Sequence, residues 1–90
     1  MIKHDHVIFG VHVTDRMKNA QEVQKLFSEY GQHIRTRLGL HQVYDDMCVP
    51  GGIILLEMVG DRARCEELAG KLSAIAGVEV QKMVFGHSHD

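Results

Sequence analysis

Apolar positions along this chain follow two rhythms, one of period two and one of period three to four, and their order predicts the fold. Gly52 to Val59 holds six apolar residues in eight (Ile53, Ile54, Leu55, Leu56, Met58 and Val59), with Glu57 the only charge. It is too short to cross a membrane, and odd and even positions are both apolar, so it reads as a strand that needs cover on both faces. Helices supply one cover; a second subunit can supply the other.

His6 to Val13 alternates, with Val7, Phe9, Val11 and Val13 on one face and His6, Ile8, Gly10 and His12 on a weaker one. Thr14, Asp15 and Arg16 turn the chain, after which Met17, Ala20, Val23, Leu26, Phe27 and Tyr30 form the stripe of an amphipathic helix that Gly31 stops. That helix can start at Asp15, or at Asn19 with Glu22 in a capping-box spacing. From His33 to Leu38, Ile34, Thr36 and Leu38 alternate with His33, Arg35 and Arg37, the pattern of a charged edge strand.

Gly39 to Pro50 is polar and acidic and reads as a mobile loop, closed by Pro50-Gly51-Gly52. Gly60 and Asp61 then cap a second helix. Cys65, Leu68, Leu72, Ile75 and Ala76 form its apolar stripe, and Arg62, Arg64, Glu66, Glu67 and Lys71 are solvated. Gly77 stops it, Val78 to Phe85 makes a last strand, and the tail Gly86 to Asp90 needs a partner to be ordered. The order strand, helix, strand, strand, helix, strand predicts an α+β, ferredoxin-like sandwich: one four-stranded antiparallel sheet in order 4-1-3-2 with both helices on one face. The third strand is then internal, and the uncovered face predicts a homo-oligomer, dimer or tetramer, formed through the sheet.

Ninety residues make a single domain, 1–90, with a core of about 6–85. A net charge of −2 argues against non-specific nucleic-acid binding and against an anionic membrane surface. The first residues, MIKHDH, carry no apolar signal region, and Cys48 and Cys65 stand apart, so a reducing, cytoplasmic location is expected.

Five local motifs resemble those of a known family. They are Thr14-Asp15-Arg16, Arg37-Leu38-Gly39, Ile53-Ile54-Leu55-Leu56, Leu68-Ala69-Gly70-Lys71-Leu72 and Gly77-Val78-Glu79-Val80. From about His6 to Phe85 the chain is similar to the small iron-only hydrogenase system regulators, which look like free-standing ACT-like domains akin to the C-terminal sensor half of the nickel-responsive repressor. The resemblance implies a non-catalytic ligand-sensing or scaffold domain linked to maturation or regulation of iron-only hydrogenase. It also implies a small ligand at the first strand-to-helix turn and the subunit interface: Val13, Thr14, Asp15 and Arg16. The nickel-responsive relatives bind metal through an H-x-H on the second strand. Here that stretch is Arg35-Thr36-Arg37, with only Cys48 and His33 or His41 as an echo, so that nickel site does not transfer.

Seven histidines are the compositional oddity, and four of them form H-x-H pairs at the two ends: His4 with His6, and His87 with His89. In the expected topology the first and last strands are antiparallel neighbours, so both pairs approach one sheet corner, where neutral imidazoles suit zinc, nickel or copper. The alternative is two soluble, His-rich ends. Asp15 and Arg16 can orient an anion at the free N–H groups of the helix, or simply cap it and pair with a carboxylate. Arg35 and Arg37 can meet an acidic partner or merely guard an edge. Cys65 belongs to packing, Cys48 has no base at a fixed spacing, and His12 can titrate at a subunit interface or stay neutral there. No serine or glycine motif announces catalysis.

Overall fold

The computed structural model describes residues 2–14, 16–40 and 52–89, with the backbone path alone for residues 2–5, 16–18, 40 and 87–89. The elements run β1 (Ile2–Val13), α1 (Arg16–Glu29), a 3-10 turn (Gly31–His33), β2 (Ile34–Leu40), β3 (Gly52–Met58), α2 (Arg62–Ser73) and β4 (Val78–His89). One antiparallel sheet in order β2-β3-β1-β4 results, the 4-1-3-2 arrangement expected, in an α+β architecture.

The alternation in β1 sets the layers. Val7, Phe9, Val11 and Val13 are buried in one cluster with Leu56 and Met58 of β3, Val78 of β4, Val23 and Phe27 of α1, Tyr30 just after it, and Cys65, Leu68, Ala69 and Leu72 of α2. Both helices therefore lie on the same side of the sheet. Phe9, Leu56, Leu68 and Leu72 have no exposed surface, so truncating any of them to Ala leaves a cavity and costs about 2–5 kcal/mol.

α2 starts where its cap predicts: the Asp61 carboxylate accepts from the Ala63 N–H at 2.9 Å. It ends at Ser73, so Ile75 and Ala76 belong to the following turn; Ile75 is half-buried, Ala76 is exposed, and Ala69 takes the stripe position instead. α1 begins at Arg16, which places Asn19 inside the helix rather than at its cap. Asp15 lies outside the described residues.

Two strands depart from the expected pattern. In β2 a bulge falls between Ile34 and Thr36: Ile34 pairs with buried Met58, whereas Thr36 pairs with Glu57 and Leu38 with Leu55. The extra residue reverses the alternation, so Ile34 packs against the core while Leu38 is on the far side of the sheet and Arg37 takes the helix side. β1 and β4 are also longer than their apolar cores. Both extend to 12 residues and pair along their whole length, from Val13↔Val78 to Ile2↔His89. β3 reaches only to Val7↔Met58, so residues 2–6 and 85–89 run on as a two-stranded ribbon, and the molecule measures 53 × 26 × 18 Å. Among the described residues no helix is long and apolar enough to cross a membrane.

Candidate functional site: the open sheet face and the first turn

The face of the sheet opposite the helices is built from the residues that the β1 alternation turns away from the core. Opposed residues of antiparallel strands share a face, so Ile8, Gly10 and His12 stand beside Met83, Gln81 and Glu79 of β4 and beside Glu57, Leu55 and Ile53 of β3. Leu38 adds to the apolar part from β2. Leu38 and Phe85 are each 52% exposed and Met83 50%, while Ile8, Ile53 and Leu55 are half-buried against their neighbours. Among the described residues nothing covers this face.

A shallow depression lies at its centre, lined by Gly10, His12, Ile53, Glu79 and Gln81. A Cβ on Gly10 would meet Leu55 Cδ2 and the Gln81 carbonyl at 3.9 Å, ordinary contact distance, so glycine here keeps the floor low rather than relieving a clash. The sequence marked Gly10 and His12 as the weak face of β1. The missing information was the β4 register that sets Glu79 and Gln81 opposite them.

The first turn, where the ligand residues Val13, Thr14, Asp15 and Arg16 were expected, is a latch. Thr14 donates to the Gly77 carbonyl twice, from its N–H at 2.8 Å and from Oγ1 at 2.9 Å, and Asn19 Nδ2 donates to the Ala76 carbonyl at 2.9 Å. Asn19, 7% exposed, is the buried polar residue among those described, and its amide is satisfied by that bond. Val13 is buried beside the latch. Asp15 and the Arg16 side chain lie outside the described residues.

The terminal histidines fall on the ribbon. His4 is registered with His87, His6 with Phe85, and His89 with Ile2. Among residues with described side chains, no three His, Cys, Asp or Glu are grouped to hold a metal ion; His4, His87 and His89 are outside that set. His33 is engaged in the fold: its carbonyl accepts from Val59 N–H at 2.8 Å and its Nδ1 lies 3.3 Å from the Val59 carbonyl. Cys48 and His41, the rest of the nickel echo, lie outside the described residues. Cys65 is 2% exposed, donates weakly to the Val59 carbonyl at 3.6 Å, and burial pushes its thiol pKa up, which keeps it a packing residue.

On the helix side, polar groups fasten the surface. Tyr30 Oη donates to Glu67 Oε2 at 2.7 Å and Arg64 pairs with the same carboxylate, which the tyrosine hydroxyl holds below its ordinary range. The Arg64 and Lys71 cations lie 4.9 and 5.3 Å from the Tyr30 ring centre. Arg37, brought to this side by the bulge, stacks 4.8 Å over Phe27 and donates to Gln24 Oε1 at 2.6 Å. It is an intramolecular clasp.

Residues 6–82 match the family model "TM1266-like: Iron-only hydrogenase system regulator, putative". Among solved structures, the uncharacterized protein TM1266 from Thermotoga maritima is similar at 29% identity and a TM-score of 0.75, covering 92% of this chain and 98% of that one. No curated protein matches the chain.

Proposed function

The chain belongs to the TM1266-like family of iron-only hydrogenase system regulators, and from that premise we propose that it is a non-catalytic regulatory domain of that system, self-associating through its open sheet face. The observation that carries this reading is the set of apolar side chains, Leu38, Leu55, Ile53, Ile8, Met83 and Phe85, on a face that nothing among the described residues covers. Such a patch is a surface for another protein, and a second copy of the chain would present the same apolar patch to it. The architecture fits an ACT-like, ferredoxin-like domain. In that reading the interface is the regulated quantity: a small ligand at the β1–α1 turn, around Val13 to Arg16, favours whichever packing it fits, and a hydrogenase-system protein reads the result.

Light scattering on a sizing column tests this. The untreated protein should elute at a multiple of its monomer mass, and Leu55→Arg should elute as a folded monomer, because Leu55 lies on the open face and its charge would be buried only in the assembly. A native chain that stays monomeric across micromolar concentrations would refute the sheet-mediated interface.

A further inference from the structure

We propose that the depression at the centre of the open face binds a small primary amine, its ammonium held by Glu79, Gln81 and His12 and its carbon chain lying against Gly10 and Ile53. The depression measures about 300 Å³, the lower end of the range for small-molecule sites. Its chemistry comes from strand register. On one rung His12 stands between Ile53 of β3 and Glu79 of β4, and on the next rung of that face Gly10 stands between Leu55 and Gln81. Opposed Cβ atoms in antiparallel strands are about 4.5–5.5 Å apart and diagonal ones about 7–8 Å, so the three polar side chains can reach one small group. Gly10 contributes no side chain and leaves the space between them open.

These polar groups are not used by the fold. Among the described residues His12, Glu79 and Gln81 have no side-chain hydrogen-bond or ion-pair partner. Their neighbours are committed: Glu57 accepts from Thr36 Oγ1 at 2.8 Å, and Lys82, one residue from Gln81 but on the helix side, donates to Glu66 at 2.5 Å.

Charge selects the sign of the ligand. Glu79 carries the formal charge of the lining, Glu57 adds a second carboxylate two residue pairs beyond Leu55 and Gly10's rung, and the open-face positions of β1, β3 and β4 among the described residues include no Lys or Arg. Such a field draws in cations and repels anions. The donor count then selects the class. A carboxylate, an amide oxygen and a neutral imidazole nitrogen all accept, and a primary ammonium brings three N–H donors to meet them. A quaternary ammonium has none and depends on aromatic faces, which the described lining lacks. An amino acid would bring a carboxylate against Glu79.

The site is formed by one chain. Its regulatory consequence rests on the reading that the open face is the interface, since an amine seated there would lie between the two copies.

The test is an NMR titration of the isotopically labelled 90-residue chain with n-butylamine near neutral pH, with butyrate and butyltrimethylammonium as controls. Butylamine should shift the amide signals of Gly10, His12, Ile53, Glu79 and Gln81, and the controls should not. Glu79→Gln should weaken binding several-fold, a modest loss because solvent screens an open site. Gly10→Ala should fold, its methyl group at ordinary contact distance from its neighbours, yet bind more weakly because it fills the floor. Affinity should fall as pH drops below about 6.5, where the imidazole gains a proton, loses its acceptor and repels the cation. Glu79 from β4 is the charged group facing His12, and β3 sets the apolar Ile53 there, so His12→Gln should bind at neutral pH without that dependence. Equal binding of butyrate or the quaternary amine, an unchanged affinity in Glu79→Gln, or no shift at these residues would each overturn the site. A capped lysine that bound more tightly than butylamine would overturn its assignment to a free ligand. Light scattering on the same samples separates this from the assembly reading: a monomer that binds butylamine upholds the site and refutes the interface, and an oligomer that does not bind it overturns the site alone.

Discussion

At Gly77 a single hydrogen in place of a methyl group decides whether two turns can meet. Its φ is +86°, and a Cβ there would lie 2.8 Å from Thr14 Oγ1 and 3.1 Å from Asn19 Nδ2, the two side chains that close the latch. Gly77→Ala is expected to lose about 1–3 kcal/mol through backbone strain, and more where the clash breaks the Thr14 bond; a urea melt reads it directly. A midpoint unchanged from native would mean that the two turns are not fastened there. Glu66 offers a second residue-scale prediction. Lys82 Nζ donates to its carboxylate at 2.5 Å and Arg62 Nε at 3.2 Å, and the Lys82 bond comes first in holding its pKa below the ordinary 4.5. The folded state therefore binds this proton more weakly than the unfolded state. Its contribution is present above the ordinary value and is lost as pH falls through the depressed one. The urea midpoint should drop as pH falls below the ordinary carboxylate value and through the depressed one, and Glu66→Gln should flatten that slope. At 36% side-chain exposure the effect is modest, since solvent screens the pair.

Among the elements, β2 shows what period-two reading can and cannot deliver. Its existence was legible from Ile34, Thr36 and Leu38, but placing all three on one face assumed an unbroken pleat. The bulge at Ile34–Thr36 has no Gly or Pro to announce it. One consequence is Arg37, read from sequence as an edge charge and found clasping Phe27 and Gln24. Arg37→Ala should cost about 0.5–1 kcal/mol, the scale of an exposed cation–π contact, and should expose more of Phe27 to water. Thermal melts at matched pH would detect the loss; no shift would leave Arg37 a solvated edge residue. The helices and the internal β3 were more legible, because Val23, Phe27, Leu68 and Leu72 repeat at helical spacing and β3 has almost no polar position. The ribbon was not, since residues 2–5 and 86–89 lack apolar alternation and owe their strand geometry to facing each other. The central depression was half legible: Gly10 and His12 lie on one strand, but Glu79 and Gln81 join them only through register.

For the whole molecule, the strand order determines which surfaces are left over. Among the described residues, two helices bury one face of the four-stranded sheet and nothing covers the other, and the apolar residues on that second face are the strongest physical support for assembly.

The placement of β1 also governs how the chain reaches its native state. This strand is the first in sequence, yet its two sheet neighbours are β3 and β4, so both of its edges wait for chain far downstream. Nearly all of the sheet's pairings are consequently distant in sequence, and such topologies close their loops late and fold in milliseconds or longer. Until β3 arrives, Val7, Phe9, Val11 and Val13 are an apolar strand with open edges, the kind of segment that chaperones hold. During synthesis the apolar β1 core therefore emerges before the strands that cover its edges.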